Sequence, residues 1–246
     1  MECFIVQPED VAGETLLLRD EEAHHAIRSL RLRSGDALLA TNLIGTCYRC
    51  LLSDDDRDAT WASCSIQEIL PEFGEPAREV LLIQGFISQP ARWEFLIEKA
   101  TELGVRTIAP VITEHTERAH YKADRSERIL RAAVKQTKRA RKPGIRLSGL
   151  GEFTTLETAL VEASKEDRSI FLLHEAAQGN SVGLTERVAT LPDSKAIAVV
   201  VGPEGGFSDE EVARAAGEYG AQIISLGPRR LRAETAAIAA LAIVIE

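Results

Sequence analysis

The chain lacks the two loops with which α/β proteins most often hold nucleotide phosphates. Its 246 residues contain no Gly-x-x-x-x-Gly-Lys-Ser/Thr and no Gly-x-Gly-x-x-Gly after a strand-like run. A P-loop and a Rossmann dinucleotide fingerprint are therefore excluded. No apolar run reaches the roughly 20 residues that a bilayer-spanning helix needs. The C-terminal stretch from Thr235 to Ile245 is shorter and reads as a buried helix. Met1 to Val11 carries acids and no basic segment leading into an apolar core, so no secretory signal is expected. A cytoplasmic protein with no membrane partner is the expectation. Cysteine is scarce: Cys3, Cys47, Cys50 and Cys64 all lie in roughly the first quarter. Cys47 and Cys50 stand in a strand-like run, where residues three apart face opposite sides, and no second Cys-x-x-Cys exists. Reduced, structural thiols are expected, and no metal site. Internal repeats and low-complexity tracts are also missing.

What is present is ordinary in bulk and uneven in detail. Hydrophobic residues make up 45% and charged residues 27%, as in a globular chain long enough for one large or two modest domains. A net charge of −9 argues against a nucleic-acid partner until the cations are placed. Between Arg125 and Arg146 lie nine Lys or Arg, among them Lys135, Lys138, Arg139 and Arg141, against the single acid Glu127. A solvated helix face normally carries interspersed acids for pairing one turn away. Their near absence points to an RNA-binding face, and Arg28, Arg31 and Arg33 form a second basic cluster.

The pattern of elements divides the chain in two. Residues 1–70 show short strand-like runs (Leu16–Arg19, Ala37–Thr41, Thr46–Leu52, Ala62–Ile69) around a helix-like segment near Glu22 to Leu30, which suggests a small β-barrel. A turn-rich linker, Pro71 to Pro76, follows. Over residues 76–246 strands and helices alternate: Val80–Phe86, a helix to Leu103, Thr107–Val111, a helix from Asp124 to Arg141, Ile170–Leu173, Ala196–Val201 and Ile223–Leu226. Such alternation argues for a parallel sheet with helices on both faces.

Two loops at the ends of successive strands carry the most information. Gly202-Pro203-Glu204-Gly205-Gly206-Phe207 offers bare backbone to a ligand, and Ser208-Asp209-Glu210-Glu211 fits a capping box that starts a helix. Leu226-Gly227-Pro228-Arg229-Arg230-Leu231-Arg232 then crowds three arginines at the start of an Ala-rich helix, against the macrodipole. An anionic partner is the simplest reason for that placement. Paired Gly/Pro loops at strand ends are how an α/β protein builds a small-ligand pocket.

These loops, GPEGGFS and LGPRRLRAETA, resemble the signature of the bacterial 16S ribosomal RNA (uracil-N3)-methyltransferases, which belong to the knotted SPOUT superfamily. The resemblance continues upstream in His24 to Asp36, in Glu94 to Val105, and at Gln136, Arg139 and Pro143. It departs at Lys135, where the family usually has Glu, at Asn42 to Gly45, and at Ser88 to Arg92, which lacks a common Lys-Gly. The resemblance implies an α/β fold: a SPOUT-type parallel sheet with a C-terminal trefoil knot, preceded by a small PUA-like RNA-binding β-barrel domain. It also implies a homodimer and an S-adenosylmethionine (SAM) pocket formed by Gly202, Pro203, Glu204, Gly205, Gly206, Leu226, Gly227, Leu231 and Arg232, with Leu173 and His174 beside them. The partner would be ribosomal RNA or an assembled small subunit. Methylating uracil N3 requires a proton acceptor and a cation near the uracil oxygens. Arg232 is the expected cation, and Glu234 or Glu204 the expected acceptor, with a first-turn helix role the competing explanation for Glu234. Two other functions stay open on these residues: a SPOUT enzyme for another RNA such as transfer RNA, and a non-catalytic RNA-binding or assembly protein.

Overall fold

The computed structural model describes residues 1–55, 58–117, 121–148, 152–175 and 183–245. Contacts group the chain into two units, Met1–Glu75 with Arg131–Lys142, and Pro76–Leu130 with Pro143–Glu246. The segment Arg131–Lys142, distant from the first seventy residues in sequence, thus packs with them.

The first unit is a curled sheet built from β1 (Cys3–Ile5), β2 (Val11–Ala12), β3 (Thr15–Arg19), β4 (Ala37–Thr41), β5 (Thr46–Asp55) and β6 (Trp61–Pro71), in the order β1-β4-β5-β6-β3-β2. All neighbours are antiparallel except β1 and β4. Alternate residues of these strands turn inward, so Phe4, Leu16, Leu18, Leu38, Tyr48, Cys50 and Leu52 share one core. The helix α1 (Asp20–His24) runs on into a π-helical turn over His25–Ser29 and contributes Ala23 and Ala26 to it. Cys47 faces a separate small cluster with Cys3 and Leu39, as strand alternation requires.

The second unit is a seven-stranded sheet in which every pairing is parallel. Its strands are β7 (Val80–Gly85), β8 (Thr107–Ile112), β9 (Gly144–Ile145), β10 (Thr154–Thr155), β11 (Ser169–Leu173), β12 (Ile197–Val201) and β13 (Gln222–Ile224). The order is β10-β8-β7-β12-β11-β13, with β9 also on β8. Every residue of β7 and β12 is buried, as expected of parallel strands covered on both faces. Val80, Leu82, Ile197, Val199 and Val201 face one core, while Leu81, Ile83, Ala198 and Val200 face the other. Each such side chain, fully buried, contributes about 1.5–3 kcal/mol relative to exposure.

The helices are α2 (Pro90–Leu103), α3 (Ala123–Thr137), α4 (Leu156–Lys165), α5 (Leu184–Ala189), α6 (Asp209–Tyr219) and α7 (Ala233–Ile245). Pro90 at the first position and Gly104 in the left-handed region bound α2. The capping box read from Ser208 and Glu211 is formed at α6, with both reciprocal bonds made. The helix read to Arg141 stops at Thr137, because Lys138 takes a φ of +59° and turns the chain.

Candidate functional site

A cavity of about 430 Å³ opens at the C-terminal ends of β11, β12 and β13, where parallel sheets keep their ligand sites. Leu173, His174, Gly202, Pro203, Glu204, Gly205, Gly206, Leu226, Gly227, Leu231 and Arg232 all line it. Every residue expected to hold the cofactor is therefore brought to one place.

The walls of the cavity are shaped by close backbone approach. A Cβ on Gly85, at the end of β7, would stand 2.4 Å from the ring of Pro203, so no side chain fits there. Gln84, buried beside it, donates from Nε2 to the carbonyls of Gly202 at 3.1 Å and Gly85 at 2.9 Å. Within the loop, the Gly206 amide donates to the Pro203 carbonyl, and Gly206 has a φ of +73° that favours glycine. Across the cavity the His174 amide donates to the Ile224 carbonyl, and Ser225 Oγ accepts from the Gly227 amide. The amides of Gly205, Leu226 and Leu231 find no acceptor among the described residues. Three unsatisfied donors beside a cavity are what a ligand rich in acceptors would use.

The charged side chains are unequal. Arg232, at the start of α7, is exposed and in no salt bridge among the described residues, while Arg230 lies 4.0 Å from Glu175. Arg92, in the first turn of α2, is held firmly. Its Nε donates to Glu234 Oε1 at 2.9 Å, its Nη2 to Glu234 Oε2 at 2.5 Å, and its Nη1 to Glu204 Oε1 at 3.3 Å. Burial pushes the Glu234 carboxyl up, but the hydrogen bonds and charge of Arg92 outweigh it and leave the group below its ordinary range. Those same hydrogen bonds, donated to Glu234, hold the Arg92 guanidinium above its usual value.

Glu234, its side chain only 9% exposed, is held in a bidentate pair with Arg92, which agrees with the first-turn structural role weighed against proton acceptance. Glu204 keeps a single, longer bond and lines the cavity. Sequence reading missed Arg92 and Gln84, although both leave a trace. Arg92 is a cation in a first helical turn, as unfavourable there as the arginines before α7. Gln84 is a lone polar residue in an apolar strand, at its C-terminal end.

The basic stretch also needs correction. Arg139 is 2% exposed and donates to Glu75 through Nε and Nη2, so it cannot form an RNA face. Lys135 donates to both oxygens of Glu22 at 2.8 and 2.9 Å and lies over the Phe4 ring. Arg141 pairs with Glu72. The acids missing from the local sequence are supplied from elsewhere in the same unit. Lys138, Arg28, Arg31 and Arg33 are exposed.

The thiols are buried and unpaired by disulfides, as expected. Burial pushes Cys3, Cys50 and Cys64 up to about 12 and Cys47 to about 11. Among the described residues no cluster of metal-binding side chains occurs, and no helix is long and apolar enough to cross a membrane.

Known proteins give this geometry a class. The profile of the RNA methyltransferase domain matches residues 74–245, and that of the RNA methyltransferase PUA domain matches residues 18–63. Ribosomal RNA small subunit methyltransferase E of Aquifex aeolicus is 30% identical over 96% of both chains. The Bacillus subtilis protein of that name is 29% identical over 92% of this chain and 88% of its own. The crystal structure of the Neisseria gonorrhoeae enzyme bound to SAM superposes with a TM-score of 0.79 at 28% identity, covering 98% of this chain and 95% of that one. The chain belongs to the ribosomal RNA small subunit methyltransferase E family.

Proposed function

We propose that this protein transfers a methyl group from SAM to N3 of one uridine in small-subunit ribosomal RNA, and that it does so in the cytoplasm as a homodimer. The observation that carries the reading is the cavity at the ends of β11, β12 and β13, walled by two Gly/Pro loops in which the amides of Gly205, Leu226 and Leu231 find no acceptor among the described residues. Its size suits a nucleoside with an amino-acid tail, and its donors suit the adenine and carboxylate acceptors of SAM. Gly202, Gly205, Leu226 and Leu231 would hold that group by main chain, with His174 beside it. Once bound there, SAM supplies an electrophilic sulfonium methyl.

The chain's own residues do the rest. Uracil N3–H is a weak acid, and its nitrogen becomes a nucleophile as the proton leaves. Glu204, the cavity carboxylate with the looser tie, is the acceptor for that proton. Arg232, exposed at the cavity rim and in no salt bridge among the described residues, is the cation that would offset negative charge on the uracil oxygens. Arg28, Arg31, Arg33 and Lys138 are exposed cations that would meet the RNA backbone. The trefoil knot belongs to the same reading, supported by the order β12-β11-β13, in which the chain leaving β12 passes β11 before re-entering the sheet. The test is methyl transfer to small subunits from a strain lacking the native enzyme, with the modified base mapped. Methylation of a uridine at N3 is expected; label in transfer RNA alone, or in no RNA, contradicts the reading.

A further inference from the structure

We propose that Arg92 is a positioning residue for methyl transfer, setting where the Glu204 carboxylate stands in the cavity. The inference rests on the methyltransferase reading above and adds to it the residue through which the proton acceptor is aimed.

The geometry divides the guanidinium into two functions. Its Nε and Nη2 face form the two-point pair with Glu234, which fixes the plane of the group. The remaining nitrogen, Nη1, then reaches Glu204 Oε1 at 3.3 Å. Glu204 is followed by Gly205 and Gly206, which offer no side chain, and the ring of Pro203 before it carries no hydrogen-bond donor. Arg92 is the one hydrogen-bond donor to that carboxylate among the described residues. The ordering of Glu204 therefore comes from α2, 112 residues earlier in the chain, through a guanidinium that α7 holds in turn.

Charge reinforces this division. The other ionisable groups around the cavity are Arg229, Arg230 and Arg232 before α7, His174 and Glu175 after β11, and His115, whose Cβ backs Gly205. Three of these are cations on the rim, able to draw a loosely held carboxylate outward. A guanidinium fixed by a second, buried carboxylate can hold Glu204 in place without being pulled out itself. Lys at this position would keep the charge but lose the planar fork that serves both partners.

The proposal is tested with a double-mutant cycle in the full chain. Single-turnover methyl transfer is measured at saturating SAM on small subunits lacking the modification, for Arg92→Met, Glu204→Gln and the double variant. SAM affinity is measured alongside by calorimetry. Each single variant is expected to slow transfer by roughly 100-fold or more. The double variant is expected to be no slower than the slower single, because both remove one function. SAM affinity of Arg92→Met should stay within about threefold, a split that general loosening of the fold would not give. Losses that multiply in the double variant overturn the proposal, as does an Arg92→Met protein with the wild-type rate. If Arg92→Met does not fold, Arg92→Lys replaces it in the same cycle, with the same two outcomes. A wild-type protein that transfers no methyl group to any RNA contradicts the methyltransferase reading itself, a different failure.

Discussion

Arg92 and Glu234 meet through two parallel hydrogen bonds, although 142 residues separate them in sequence. The pair joins the first turn of α2 to the first turn of α7. A cation at the start of α2 is disfavoured by the helix dipole, and a carboxylate at the start of α7 is favoured by it. The bidentate bond offsets the first and uses the second.

The pair makes stability depend on acid in a definite direction. Because Glu234 titrates below its ordinary range in the folded chain, its contribution is present above the unfolded pKa of about 4.3 and is lost as pH falls through the depressed folded value. Glu234→Gln should lower stability at pH 7 by about 3 kcal/mol, since it leaves a mostly buried guanidinium short of charge. The gap between wild type and variant should close as melts are taken below about pH 4. A gap that stays constant into acid contradicts the assignment.

The thiols give the opposite limb. Their folded pKa values, about 11 for Cys47 and about 12 for the other three, lie above the ordinary 9.0. Stability should be unaffected below about pH 9 and should fall as pH rises from there toward 12, by up to about 1.4 kcal/mol per unit for each thiol. Native protein at pH 8 should react with a thiol reagent far more slowly than the same chain in guanidinium. Rapid native labelling of all four would contradict their burial.

Arg139 and Arg33 separate structure from RNA binding. Arg139→Met strands the buried Glu75 carboxylate and should cost about 3–5 kcal/mol, most of it recovered by adding Glu75→Met. Arg33→Ala should leave stability within about 0.5 kcal/mol. It should weaken RNA binding and reduce the slope of log affinity against log salt by about one. Chemical denaturation and filter binding across a salt series check both.

Gly206 tests the loop itself. Its φ of +73° strains any β-branched residue by about 1–2 kcal/mol, and its missing side chain would point into space with nothing within 4 Å. Gly206→Val should fold and yet bind SAM at least about tenfold more weakly, as the side chain enters the space a ligand needs. Unaltered affinity would place the ligand elsewhere.

What could be read from the sequence was the chemistry that is local in the chain. Ser208 and Glu211 announce the start of α6 by themselves, and the run Val80–Phe86 announces a buried strand by its apolar residues, with Gln84 the exception. The two loops were legible because glycine, proline and arginine crowd into a few consecutive positions. Less local features were not. The three-residue β1 is a strand only because β4 lies beside it. The basic run from Arg125 to Arg146 looked unpaired because Glu22, Glu72 and Glu75 are remote in sequence and near in space. Arg92 belongs to the site only through Glu234 and Glu204, partners that no spacing rule connects to it.

The most direct measurement is titration calorimetry of the full chain with SAM, alongside Gly206→Val. Saturable binding of one SAM per chain, lost or strongly weakened in the variant, is the expected result. A folded protein that takes up no SAM, or one whose variant binds it equally well, would contradict the claim that the main chain of these two loops forms the methyl-donor site.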